Sequence, residues 1–199
     1  MTSLHNPRTP DHDVSPLFPD RWSPRGFLPD PVPRHFLMSV FEAARWSPSC
    51  YNEQPWLFLF AEQPKQRALF LSLLVEKNQL WARNAPVLIF ALYRLSFAQT
   101  DKTNRHALFD LGAAWMACAL QARALGLYAH AMAGFKKEDA LNALSVPRET
   151  FDIAVAIALG RRADDPPLPT DLKELEHPNE RKPLASIACE GTFPETVPL

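Results

Sequence analysis

The segment Arg105 to Leu125 restricts the possible folds more than any other stretch of this 199-residue chain. Leu108, Leu111, Trp115, Cys118, Ala122 and Leu125 recur at helical spacing on one stripe, and Phe109, Ala113, Met116 and Leu120 fill a second. A helix that is apolar on most sides has to be covered on most sides. Two arrangements meet that demand: the core helix of a large domain, or a helix at a homodimer interface, since obligate interfaces resemble a core cut in half. Gly112, Ala113 and Ala114 leave room for a second helix to approach closely. Gly126 is the expected left-handed cap that ends the helix.

Three uniformly apolar runs predict strands buried on both faces: Trp56 to Ala61 (WLFLFA), read as a central strand, Pro86 to Tyr93 (PVLIFALY) and Ile153 to Gly160 (IAVAIALG). Leu127 to Phe135 (LYAHAMAGF) reads as a shorter extended segment. Asp30-Pro31-Val32-Pro33 is a helix entry, because prolines are tolerated where the first N–H groups lack partners. Phe36, Leu37, Val40, Phe41 and Ala44 then continue at helical spacing. Gln63 to Glu76 predicts one amphipathic surface helix, Asn78 to Ala82 a loop or short helix, and Lys136 to Leu144 a short helix stopped by Pro147. Arg94 to Asn104 is polar and predicts a loop.

Proline, at 20 residues about twice the usual share of roughly 5%, clusters at the two ends and makes them extended. The expected division is an arm over 1–20, a domain over 21–165, and an extension over 166–199 that wraps the domain or a partner subunit. A formal net charge of −1 points to no nucleic-acid or acidic-membrane partner. Three widely spaced cysteines form no disulfide framework or metal-ligand pattern, which fits a reducing cytoplasm. The first thirty residues contain no apolar h-region, and no apolar run reaches about 18 residues, so neither a signal peptide nor a membrane span is expected.

Reactive side chains are hard to find. GxSxG, GxxxxGKS, HExxH and GxGxxG are all missing, so a nucleophile elbow, a P-loop, a zincin site and a Rossmann dinucleotide site are not indicated. The six histidines are scattered, and His130 reads better as a core or pocket-edge histidine than as a metal ligand. With no carboxylate pair for acid–base work, any enzymatic reactivity belongs to a bound cofactor. Three stretches have binding chemistry. Arg21, Ser23 and Arg25 suit a phosphate, since guanidinium forks match its oxygens at any working pH, although a solvated basic turn uses the same residues. Ala43 to Trp56 (AARWSPSCYNEQPW) sets small hydroxyls and amides on a loop between two buried elements, as either a ligand loop or a plain helix-to-strand connection. Gly134 lets backbone approach a ligand closely, or serves a turn.

Taken together, from Arg21 to Leu184, these segments resemble the nitroreductase family of flavin-dependent oxidoreductases. The RxSxR pattern is Arg21, Ser23 and Arg25; EAARWSPSCYNEQPW is similar to the family's EAAxxAPSSxNxQPW; NQLWARNAPVLI resembles the segment before its second core strand. FDLGAAWMACALQARALGLYAHAMAGF follows its long helix, ALGL and Gly-Phe turn, and LPTDLKELEHPNERKPL is similar to its E-x-P-x-x-R-x-P-L. The resemblance implies an α+β fold, a small mixed sheet flanked by helices, in an intertwined homodimer holding two FMN molecules at its interface. By position, Arg21, Ser23, Arg25 and Arg181 would bind the FMN phosphate, with Gly160 and Arg161 nearby. Pro48, Ser49, Cys50 and Asn52, helped by Gln54, would come from the partner subunit. Ala133 and Gly134 would offer backbone N–H groups, that of Ala133 toward flavin N5. No side chain is assigned a catalytic role and no metal is implied. The implied activity is ping-pong hydride transfer from NADH or NADPH through FMN to a quinone, nitroaromatic or similar small acceptor. Alternatives on the same fold are a non-turnover FMN store or sensor and a dehalogenase-like enzyme. Arg83, Arg161 and Arg162 are candidates for a nicotinamide 2′-phosphate, or simply surface arginines. Two departures stand out: Cys50 replaces a serine, and a thiol is the weaker donor; and Arg94 to Asn104 is short where many relatives have gating helices, which implies an open pocket.

Overall fold

The computed structural model describes residues 6–194. The elements follow in the order α1 (Leu17–Asp20), α2 (Arg34–Arg45), β1 (Trp56–Ala61), α3 (Pro64–Ser72), α4 (Glu76–Ala82), β2 (Val87–Arg94), α5 (Ala107–Ala124), β3 (Tyr128–Met132), α6 (Lys137–Ala143), β4 (Phe151–Gly160) and α7 (Thr170–Lys173). One four-stranded sheet, ordered β1-β2-β4-β3, divides the molecule into two cores. Along β2 the pleat sends Leu88, Phe90 and Leu92 toward Phe70, Leu73, Leu74 and Trp81 of the α3–α4 layer. Val87, Ile89 and Ala91 face Leu37, Val40, Leu111 and Cys118 of α2 and α5. Apolar runs in β2 and β4 therefore answer to helices on both sides, as their sequences require.

Several expectations need correcting. Every strand pair is antiparallel among the described residues, so the sheet is not mixed. WLFLFA is an edge strand rather than a central one: β1 pairs only with β2, only Ala61 is fully buried, and Leu57 is 41% exposed. The helix expected over 63–76 is shorter, because Leu73, Leu74 and Val75 leave it to bond across to the turn at 134–136 before α4 begins. The arm over 1–20 contains the helical turn α1, and its residues 1–5 lie outside the described residues.

α5 behaves as its pattern demands. Ala107, Leu111, Ala114, Cys118 and Ala122 are buried against α2 and the sheet, while Leu108 and Phe109 are 54% and 81% exposed. Beside them a Cβ added at Gly112 would meet nothing within 4 Å. Gly126 ends the helix with φ +74°, as expected. The first part of the C-terminal extension lies on its own domain: Leu172 is buried and Pro166 packs over Gly26. No helix among the described residues is long and apolar enough to cross a membrane.

Candidate functional site

Arg21 to Arg25 is built onto the outer edge of β3. Burial alternates along RWSPRG: Trp22, Pro24 and Gly26 are buried, while Arg21, Ser23 and Arg25 are half-exposed. Trp22 meets the Tyr128 ring edge-on at 6.1 Å, and the Pro24 carbonyl lies 2.8 Å from Nδ1 of His130. Phe27 then bridges Arg162 in antiparallel fashion, through Leu28 N–H to the Arg161 carbonyl and Ala163 N–H to the Gly26 carbonyl. Burial, reinforced by Arg25 and Arg21, pushes His130 down to about 4. It is neutral at physiological pH, donates from Nδ1 to Pro24, and stacks on Trp81 at 4.6 Å. His130 is thus a support for the arginine segment.

Three guanidiniums gather at the Tyr128 end of this edge. Arg21 is held below its ordinary value by burial and then by Arg181; Arg8 is lowered by burial, Arg181 and Arg21. Among the described residues none of Arg8, Arg21, Arg25 and Arg181 lies within 4 Å of a carboxylate oxygen, whereas Arg34, Arg45, Arg123, Arg148 and Arg162 do. One carboxylate does reach the segment: Glu176 accepts the backbone N–H groups of Arg25 and Gly26 at 2.8 and 2.9 Å. Four positive charges against one negative leave a cradle suited to a phosphate of charge −1.5 to −2. Arg8 and Glu176 were not among the sequence candidates. Arg8 sits in no pattern, whereas Glu176 opens the E-x-P-x-x-R-x-P-L stretch that also contains Arg181; each is brought to the site by a terminal segment folding back.

At the other end of β3 lie Ala133 and Gly134. Among the described residues neither N–H has an acceptor in the chain, while the Gly134 carbonyl takes the Val75 N–H and Asn78 Nδ2. The glycine is required here for internal packing, since a Cβ would come within 2.7 Å of Asn78 and 2.9 Å of Val75. Tyr128 and Ala133 are five residues apart, so cradle and free N–H groups are separated by roughly 17 Å. Gly160 and Arg161 fall nearer the cradle but act through backbone: a Cβ at Gly160 would strike Pro86 at 2.5 Å, and the Arg161 side chain is exposed. Arg162 is packed against Trp22 and paired with Asp164 at 3.1 Å, and Arg83 caps α4 through the Gln79 carbonyl.

The loop Pro48 to Gln54 is elsewhere. It precedes β1, at the opposite edge of the sheet, three strand spacings or about 14 Å from β3. α5 gives an independent measure. Near its start Asp110, buried among apolar neighbours, accepts the Cys50 N–H at 3.1 Å; near its end Arg123 lies over the Tyr128 ring. Those 13 residues rise roughly 20 Å. Within the loop Tyr51, Asn52 and Gln54 all have left-handed backbone, φ 53°, 57° and 49°. Ser49 Oγ accepts the Gln54 N–H, and Gln54 Nε2 donates to the Asn52 carbonyl. Pro48, Ser49, Cys50, His106, Phe109 and Asp110 line a cavity of about 180 Å³. The structure thus unites Arg21, Ser23, Arg25 and Arg181, places Ala133 and Gly134 along the same edge, and keeps the loop residues apart. Asp110, which fixes the loop, was also missed; an acidic residue within an otherwise apolar helix is the signal that marks it.

Known proteins resemble this chain in sequence and fold. The model of the "Nitroreductase family" matches residues 19–79 and 61–161. A protein of Stenotrophomonas maltophilia (strain R551-3), with the provisional name NADH dehydrogenase/NAD(P)H nitroreductase, is 30% identical over 139 residues, 60% of this chain and 70% of that protein. A crystal structure described as an oxidoreductase containing FMN is 40% identical, covers 98% of this chain and 100% of its own, and superposes with a TM-score of 0.90. Another, of a provisionally named nitroreductase from Desulfovibrio desulfuricans in complex with FMN, is 25% identical with a TM-score of 0.70, covering 92% and 100%. The chain belongs to the nitroreductase family.

Proposed function

We propose that this protein is an FMN-dependent oxidoreductase that works as a homodimer and takes electrons from NADH or NADPH to a quinone, nitroaromatic or similar small acceptor. The observation that carries the reading is the edge of β3, with an unpaired guanidinium cluster at one end and two unused N–H groups roughly 17 Å along it. With the arginine side chains reaching along part of that distance, an anionic head joined by a short chain to a flat heteroaromatic ring describes riboflavin phosphate. When bound, FMN supplies hydride acceptance and release at N5.

The chain's part is to bind and orient. Arg21, Ser23, Arg25 and Arg181 hold the phosphate, and the Ala133 and Gly134 N–H groups face the ring. Pro48, Ser49, Cys50, Asn52 and Gln54 are too far away to touch the same ring from one chain. A two-fold pairing of α5 across its exposed Leu108, Phe109 and Gly112 face brings the loop of each subunit to the β3 edge of the other. Arg94 to Asn104 is a tight hairpin closed by the Ser96–Thr103 bridge, too small to act as a lid, which favours small planar acceptors stacking on an open ring face.

The visible spectrum of the purified protein, followed by anaerobic titration with each nicotinamide, tests the reading. A yellow protein bleached by NADH or NADPH and recoloured by a quinone is the expected result. Bound flavin inert to both nicotinamides would make it a store, and failure to take up FMN would end the flavin reading.

A further inference from the structure

Arg8 lies outside every segment that carries the family pattern, on an arm that the chain folds back onto its own cradle. Its guanidinium has five N–H donors. Nε donates to the Asn179 carbonyl at 2.6 Å; Nη1 donates to the carbonyls of Pro19 at 3.0 Å and Arg21 at 2.9 Å. The group is therefore wedged between the phosphate segment and the tail turn that delivers Arg181, two residues beyond Asn179. Its remaining nitrogen, Nη2, is buried and has no acceptor among the described residues. The arm itself is seated independently, by Asn6 Nδ2 donating to the Pro19 carbonyl and to Asp20 Oδ1, both at 3.1 Å.

A guanidinium serving only as a staple across carbonyls has no reason to be pressed toward two others. Arg8 Nε and Arg181 Nη1 donate to the same Asn179 carbonyl, so two like charges are drawn together, and burial raises the cost. Burial and the two neighbouring arginines both hold Arg8 below its ordinary value, so its surroundings are short of negative charge. A dianion held by this cluster removes the repulsion.

We propose that Arg8 is a further residue of the phosphate cradle, adding its fixed charge to those of Arg21 and Arg181 from the N-terminal arm. The inference rests on the flavin reading, and its consequence is selectivity: Arg8 favours FMN over riboflavin, which has the same ring and ribityl chain without the phosphate.

The experiment titrates flavin-stripped, full-length protein separately with FMN and riboflavin, following flavin fluorescence. Arg8→Met is expected to raise the FMN Kd about tenfold or more while moving the riboflavin Kd by less than about threefold. Arg8→Lys keeps a charge and loses the fork, so it should retain part of the FMN preference and guards against an arm that fails to seat in Arg8→Met. An unchanged FMN Kd in Arg8→Met, or an equal loss for both flavins, overturns the proposal. Wild-type protein that takes up neither flavin overturns the flavin reading, and this one with it; wild type that takes up FMN while the variants behave alike overturns this one alone.

Discussion

Along β3 the sheet edge is closed by the chain itself, with Trp22 and Pro24 packed inward, Glu176 latching Arg25 and Gly26, and Arg8 tying arm to tail. Along β1 no strand lies beside the outer edge among the described residues, and Trp46 and Tyr51 of the neighbouring segment are 74% and 90% exposed. The loop also keeps three non-glycine residues in left-handed backbone, a conformation that costs on the order of 1 kcal/mol each and persists where surrounding structure enforces it. One region is a packed edge with an excess of positive charge. The other is shaped and anchored but ends in bare apolar surface. The difference teaches that, under the proposed dimer, binding and completion are divided between the two edges and each edge meets its opposite on another chain.

The comparison can be broken most forcefully at α5. Phe109→Glu puts a charge in the exposed apolar face, beside the loop and away from the β3 edge. The expected outcome is a monomer by analytical ultracentrifugation that binds FMN at least about a hundredfold more weakly, since half the ligand contacts are lost. Arg21→Ala attacks the packed edge alone. Loss of a charge-assisted contact of about 1.5–3 kcal/mol predicts an FMN Kd some ten- to a hundredfold higher in a protein that remains dimeric.

His130 tests whether the arginine segment depends on its support. Its folded value of about 4 lies below the ordinary 6.5, so folding favours the neutral ring. The associated stability is complete above pH 6.5 and declines as pH falls toward 4, by roughly 3 kcal/mol in all. His130→Gln should flatten that part of the stability–pH curve in chemical denaturation, whereas an unchanged slope would remove His130 from the account. Asp110→Ala is the smaller test, on the loop side. It frees the Cys50 N–H at a cost of about 1–2 kcal/mol. The expected signs are a Tm lower by a few degrees and faster alkylation of Cys50, with Cys118 silent because burial pushes its thiol up to about 12.

Much of this architecture was legible in the chain. The doubly apolar stripes of 105–125 announced a helix needing cover on most sides, and Gly126 its end, because both follow from local geometry. The family pattern located the arginines and the loop, and the alternation in RWSPR already matches a segment lying along a strand. What escaped depends on non-local arrangement. WLFLFA and PVLIFALY are equally apolar, yet one is an edge and the other central, since sheet order is decided by connections and not by composition. Arg8, Glu176 and Asp110 act on residues 11 to 171 positions away, a relation that no spacing within a segment encodes.

Mixed dimers test the central claim most directly. Co-expressing a chain with Arg21→Ala and Arg181→Ala and a differently tagged chain with Ser49→Ala and Asn52→Ala yields heterodimers isolable by tandem purification. If each site takes its arginines from one subunit and its loop from the other, every heterodimer has one intact site and one doubly damaged site. The account predicts one tightly bound FMN per heterodimer, with wild-type affinity. Two equally weakened sites, or tight flavin binding by a monomer, would contradict it.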